Sequence, residues 1–393
     1  MSKKNGYIVC LLLGFYLLGC NKTTITPDLG YPIVDIDLNR AEKVNFGDWI
    51  DSVQFIPLES NKNSIIGLYG KMLNVDNKYY ITDRLGPSPF LIFDSIGNFI
   101  FRNIAGSGPN EYKSITSFNI DIETGNIIIY DFFDAKKKLK EYDNKFNLLK
   151  DIPLPTYMPW SNFKKITDDI YLFGSLRGEK ELVNVFSVKE GEIIKKLYPL
   201  PEAEAKELID TERYSFFSSN DCSYFTPIFP HPELYRFDTI TMDLVKDIVY
   251  TIGGKEFSVN KLPTGQSKSY YKDLLLSPRG PNGKWNDNYA YVWNKWKMGD
   301  CYYARIYHKE KMYINRFDKK NGKHRTILAQ FNDGGMINQP VYVDNEAIYY
   351  LALPEDIKDL VGEKHIDSKY KAMLDKAIEE DDNFWIVKYY MKK

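Results

Sequence analysis

Two of the four histidines in this 393-residue chain follow a cysteine by less than ten residues. His231 lies nine residues after Cys222, and His308 lies seven after Cys301. Histidines on equivalent loops could hold a metal or act as an acid–base pair. Zinc catalysis wants three protein ligands and an open position. His324 and His365 sit in inequivalent places, so no third ligand is apparent, and no metal, cofactor or catalytic residue is assigned. A second set, Arg84, Asp134, Arg177, Arg305 and Lys309, is net positive in a slightly acidic chain (52 Lys and Arg against 53 Asp and Glu). Such a set would attract a carboxylate or an acidic glycan, and it also reads as ordinary solvated loop charge. Trp285 could stack on a sugar. Trp160, Trp293 and Trp296 read more simply as packing residues. Gly106-Ser107-Gly108-Pro109-Asn110-Glu111-Tyr112 lacks the lysine and the following helix of a phosphate loop, so its glycines serve a tight turn that Glu111 and Tyr112 pin. No G-x-S-x-G elbow, C-x-x-C pair or calcium loop of the D-x-D-x-D-G kind is present.

The elements that must position these residues repeat. Residues 79–112 show the clearest copy: two β-rich runs around a Gly/Pro break, a turn at Asp94–Gly97, a third run and a glycine-rich exit. Aromatic–Asp-like pairs recur at Phe93-Asp94, Tyr142-Asp143, Phe186-Ser187, Phe237-Asp238 and Phe317-Asp318, spaced 49, 44, 51 and 80 residues apart. Six four-stranded antiparallel units of this length predict an all-β, six-bladed β-propeller. The sixth copy ends at Lys393 one strand short. Residues 53–58 precede the first copy and are free, so they are expected to supply the missing outer strand and lock the ring. The propeller then spans 33–393, with 33–60 as the N-terminal closing segment.

Three segments break the period: 201–211, 255–288 and 354–382, of which the first and last are helix-like. In a blade with strands A to D from the axis outward, B–C loops share a face with the connections between blades. All three insertions fall there, and His231, His308 and the charged set are expected on the same rim. Cys222 and Cys301 hold equivalent positions in adjacent blades, which symmetry keeps apart, so two free buried thiols are expected.

Lys3 and Lys4 precede an apolar run at residues 7–18 that is too short to span a bilayer, which is the pattern of a targeting segment. It ends in Leu17-Leu18-Gly19-Cys20, which resembles a bacterial lipobox cut before Cys20. Residues 1–19 would be the lipoprotein signal peptide and 20–32 a lipidated tether. The remaining chain carries a net charge of −3 (50 − 53) and offers nothing for nucleic acid.

With six blades, the lipobox and the GSGPNEY exit, the chain resembles the six-bladed, NHL-like β-propeller lipoproteins of Gram-negative bacteria. The family's exit pattern is close to G-x-G-P-G-E-[FY], with Asn110 here in place of a glycine. Its start appears as Ile56-Pro57-Leu58-Glu59 and Ile66-Gly67. Its end appears as Glu379–Asn383, with Phe384 where the family has proline. The resemblance implies a lipid on Cys20, a place at the outer membrane of the cell envelope, and no particular activity. The leading expectation is a binding or scaffold propeller whose ligand is a peptide, a glycan fragment or a protein partner. It would bind on the face bearing the insertions, through Arg84, Asp134, Arg177, His231, Trp285, Arg305 and His308. The alternative is a hydrolase or lyase on that face, metal-dependent through His231 and His308, as the propeller amidating lyases hold zinc with axial histidines.

Overall fold

The computed structural model describes residues 30–84, 89–108, 110–131, 137–155, 162–175, 180–199, 214–219, 222–227, 231–257, 288–380 and 383–392. Six small sheets form a six-bladed β-propeller. Each runs A-B-C-D from the axis outward with antiparallel neighbours. Blade one comprises Tyr69–Val75, Lys78–Asp83, Phe90–Phe93 and Phe99–Asn103. In blade six the first three strands are Tyr342–Val343, Ala347–Ala352 and Trp385–Met391, and the outer strand is Ile50–Pro57. That strand pairs antiparallel with Trp385–Met391 from Ile50↔Met391 to Pro57↔Trp385, so the two ends of the chain close the ring as the sequence predicts.

Alternation within strand B explains why the ring holds. Tyr79 and Ile81 pack toward blade six, while Tyr80 packs toward blade two. Ile127 and Ile129 face blade one, and Ile128 and Tyr130 face blade three. Both faces of every blade are therefore apolar with period two. The six hydrophobic clusters correspond to the six blade junctions. The tyrosine-rich composition suits this geometry, since a tyrosine ring fills a wedge between sheets while its hydroxyl reaches a polar rim. Tyr302 is fully buried and donates to Asp247 at 2.7 Å; Tyr389, also buried, donates to the Leu360 carbonyl at 2.7 Å.

The N-terminal segment does more than supply one strand. Ile33–Asp35 adds a fifth, parallel strand outside blade four. Glu42 then bridges Ile327 on the outer strand of blade five, and Val44, Phe46 and Trp49 enter the junction of blades five and six. The segment thus belts three consecutive blades. Residues 33–38 alternate apolar and acidic in a strand pattern, yet the strand is only three residues long, because Asp37 caps a turn by accepting the Asn39 N–H.

Two features lock the closure to blade one. Asn383, 3 % exposed, makes four hydrogen bonds. Its Oδ1 accepts from Ile66 N–H (3.1 Å) and Phe384 N–H (3.0 Å); its Nδ2 donates to the carbonyls of Glu59 (3.1 Å) and Ser64 (2.8 Å). Glu59 in turn accepts the Phe99 N–H at 2.8 Å, and its own N–H donates to the Gly97 carbonyl at 2.9 Å. The Asp94–Gly97 turn therefore braces the closing strand. Gly97 has φ +92°, and a Cβ there would lie 2.0 Å from the Pro57 carbonyl oxygen, so only glycine permits the approach.

The 354–382 insertion is a helix pair, α1 (Pro354–Val361) and α2 (Ser368–Glu379). Proline opens α1 where no N–H is needed, and Asp367 caps α2 by accepting the Tyr370 N–H at 3.0 Å. The pair packs on the segment that leads into blade six: Met336 N–H donates to the Leu360 carbonyl. His365, between the helices, stacks on Phe46 at 4.5 Å. The 201–211 insertion and residues 258–287 of the 255–288 insertion lie outside the described residues.

Candidate functional site

The expected rim residues divide into three groups. Asp134, Arg177 and Trp285 lie outside the described residues, as do Trp160, read as packing, and Cys20, read as the lipid site. Arg84 and His231 do sit in B–C loops, Arg84 exposed and His231 half-buried. Arg305 and His308 do not. Arg305 lies inside strand B of blade five (Cys301–His308), 7 % exposed. It is set against the Met312 sulfur and over the Tyr307 ring. Its position in the strand faces it into the junction with blade six, because Tyr303, two residues earlier, packs there. His308 closes the same strand, and its Nδ1–H donates to the Tyr289 carbonyl at 2.8 Å.

That contact recurs around the ring. Asp83, at the end of strand B in blade one, accepts N–H bonds from Gly67 (2.8 Å) and Leu68 (2.9 Å). Asp131, its counterpart in blade two, accepts from Lys113 (2.8 Å) and Ser114 (3.2 Å). In each case the last residue of strand B grips the segment entering strand A. His308 performs this structural task in blade five. Among the described residues, no group of three or more His, Cys, Asp or Glu side chains could hold a metal. Cys222 and Cys301 are free but partly exposed rather than buried, because each opens its strand B next to a turn.

The remaining sequence readings fall on packing. Trp296 stacks on Tyr303 at 5.6 Å in the junction of blades five and six. In the glycine-rich exit, Glu111 Oε2 accepts the Gly108 N–H at 2.7 Å, and Gly106 N–H donates to the Tyr112 carbonyl at 2.8 Å. Tyr112 is buried between blades one and two.

A further set of charges, not expected from the sequence, lies on the strands nearest the axis. The six inner strands are Tyr69–Val75, Ser117–Ile120, Phe163–Lys165, Tyr214–Ser219, Tyr291–Met298 and Tyr342–Val343. Together they carry five lysines (71, 164, 165, 295 and 297) and no aspartate or glutamate. Lys71 Nζ reaches from blade one to the Phe118 carbonyl (2.7 Å), Ser117 Oγ (3.5 Å) and Asn162 Oδ1 (3.4 Å). Three blades thus meet at one ammonium. Lys165 pairs with Asp121 and with Asp168 (2.7 Å). Burial opposes the Lys165 charge, yet these carboxylates outweigh it and hold its pKa above the ordinary lysine range.

Lys295, fully enclosed, donates to the carbonyls of Pro227 and His231, both at 2.5 Å, and burial pushes its pKa down to about 7. It thereby ties the His231 loop of blade four to the inner strand of blade five. Lys297 donates to the Tyr224 hydroxyl at 2.9 Å and lies over the Tyr224 and Tyr302 rings at 5.1 and 5.5 Å. Burial lowers its pKa as well, with Asp247 opposing. Beside this sector Tyr198 holds a left-handed backbone (φ +60°), and its ring meets Phe225, His231 and Tyr235 edge-on. A visible sequence signal existed in Trp293-Asn294-Lys295-Trp296-Lys297, where lysines two apart sit among strand-forming aromatics and so share one face.

No curated protein matches this chain. Among solved structures, a Bacteroides fragilis protein named as a candidate exported protein is similar at 19 % identity with a TM-score of 0.68. That match covers 92 % of this chain and all of the other. A member of the DUF4221 family from Bacteroides vulgatus is similar at 11 % identity with a TM-score of 0.53, over 87 % of this chain and 98 % of the other. At these identities the likeness speaks for the shared propeller alone. A family model described as a domain of unknown function, DUF4934, matches residues 31–390. From the closing strand to the last blade, this chain belongs to the DUF4934 family.

Proposed function

We propose that this propeller is a non-enzymatic binding protein of the cell envelope that takes a carboxylate-bearing ligand near its axis. The observation that carries the reading is the charge of the inner strands: five lysines and no acidic residue, in a chain whose net charge is −1. Even after Asp121 neutralises Lys165 and burial strips much of the Lys295 charge near neutral pH, Lys71, Lys164 and Lys297 keep the inner strands positive. Low-dielectric walls focus such a field and draw anions toward it. Arg84 and His231, on the B–C loops, stand at the edge of that approach, and the helix pair of blade six decorates the same side. Asp134, Arg177 and Trp285 are assigned to this rim by their place in the repeat.

The test is calorimetric titration of the full-length protein with oligogalacturonate and an oligoglutamate peptide, against a neutral galacto-oligosaccharide. Binding of at least one anionic probe, weakening several-fold between low and physiological salt, is the expected result. Equal binding of the neutral sugar, or no dependence on salt, would overturn it. The two anionic arms separate a glycan from a peptide ligand.

The envelope location rests on the lipobox ending in Cys20, on the resemblance to NHL-like propeller lipoproteins, and on the exported character named for the Bacteroides fragilis relative. A lipid on Cys20 would bury its chain at about 0.8 kcal/mol per methylene. Cys20→Ser should move the protein from the membrane fraction to the soluble fraction of lysed cells. A variant that stays with the outer membrane would remove the lipid anchor from the proposal.

A further inference from the structure

We propose that Lys164 is the group that pairs with the ligand, and that it takes a single carboxylate at the junction of blades three and four. This rests on the anionic reading above and narrows it to one residue and one charge.

Four of the five inner-strand lysines are already engaged by neighbouring groups. Lys71 has three acceptors, Lys165 two carboxylates, Lys295 two carbonyls and Lys297 a tyrosine hydroxyl. Each is committed to holding neighbouring blades together. Lys164 makes no hydrogen bond or ion pair with any described residue, although it is half-buried. Strand alternation sets its direction. Phe163 packs into the junction with blade two, and Lys165 reaches Asp121 of that blade. Ile166, on the other side, packs into the junction with blade four. Lys164 shares the side of Ile166, so it faces blade four. Lys295 faces blade four from the opposite flank and pins the His231 loop there.

An ammonium held half-buried without an acceptor among the described residues is costly. Burial pushes the Lys164 pKa down to about 8, and Asp121 is the charge that opposes this. A bound carboxylate would supply the missing partner and favour the ammonium form, so binding above pH 8 should draw in a proton. One uncommitted cation suits one negative charge. A phosphate dianion would need a second donor that the committed lysines do not spare.

The test is competitive acetylation of the full-length protein with trace acetic anhydride between pH 6 and 11, read per lysine by peptide mass spectrometry. Galacturonate, galactose and inorganic phosphate are compared at equal ionic strength. Lys164 should label with a midpoint near 8, and galacturonate should protect it about tenfold more than galactose or phosphate does. In parallel, Lys164→Met and Lys164→Gln should weaken oligogalacturonate binding at least tenfold. A midpoint near 10.5 with no protection, or stronger protection by phosphate, overturns the proposal. If both variants bind oligogalacturonate as well as the unaltered protein does, the Lys164 assignment fails while the anionic reading stands. If no carboxylate binds the unaltered protein, both fail. The labelling arm uses unaltered protein, so it decides the matter even if a variant does not fold.

Discussion

Asn383→Ala should lower the unfolding free energy by about 3–5 kcal/mol, the largest loss expected from one side chain in this protein. The amide satisfies four backbone groups at once, and every one lies where the last strand of the chain meets the first segments of the propeller. Ser64 is fully buried and Ile66 nearly so, so their backbone groups cannot turn to water. Removing a partner from a buried polar group costs roughly 1–3 kcal/mol each, more than the bond itself contributes net. The loss also falls on the ring closure, where Ile50–Pro57 and Trp385–Met391 are neighbours in space but far apart in the chain. Denaturant titration should show an earlier midpoint, and limited proteolysis should show cleavage in residues 58–68 before elsewhere. Asn383→Asp should be nearly as harmful, since it replaces the donor facing two carbonyls with a second acceptor. A loss below about 1 kcal/mol for both variants would show that strand pairing alone closes the ring.

The second large effect is a pH dependence. Burial depresses the Lys295 pKa from 10.5 in the unfolded chain to about 7 in the fold. Between those values the unfolded state binds the extra proton, so folding stability rises with pH across that window. The penalty is absent above about pH 10.5 and fully present below about pH 7. A shift of this size corresponds to roughly 5 kcal/mol between the two ends. Lys295→Met removes the titration while keeping most of the side-chain volume. The variant leaves the Pro227 and His231 carbonyls without their donor and should be less stable at high pH. Toward pH 7 the gap between the two proteins should narrow or invert. Denaturant titrations of both at pH 7, 8.5 and 10 measure the difference. Parallel curves would mean that the two carbonyls stabilise the ammonium enough to cancel its burial.

Both effects sit at positions where a polar side chain substitutes for sheet pairing between blades. A propeller blade has only its neighbours to lean on, and packing between apolar faces sets distance but not registry. Buried Asn383 and Lys295 and half-buried Lys71 set registry, because each reaches named carbonyls on an adjacent element. The same logic accounts for the strand-end clasps of Asp83, Asp131 and His308.

The sequence by itself determined the fold class, the number of blades and the closure by residues near 53–58. These follow from period-two apolar strands and a repeat of about 45 residues, which are local properties of the chain. The helix pair was legible for the same reason, as was the freedom of Cys222 and Cys301. The strand at Ile33–Asp35 was legible from its alternation, but its place as a fifth strand on blade four was not, because a parallel edge pairing between residues about 216 apart leaves no local trace. The site was misplaced rather than invisible. Charge in loops drew attention to Arg305 and His308, yet the strand bearing them runs to His308, so both are buried. Lysines inside strands were passed over because a strand lysine ordinarily points to solvent. Only the tertiary structure decided otherwise. Circular stacking turns the inner edge of each sheet toward a common axis, which gathers lysines distant in the chain onto one ring of strands where no aspartate or glutamate of those strands offsets them. Among them Lys164 is left without a partner among the described residues, a fact that depends on where the other four lysines point and that no stretch of the sequence contains.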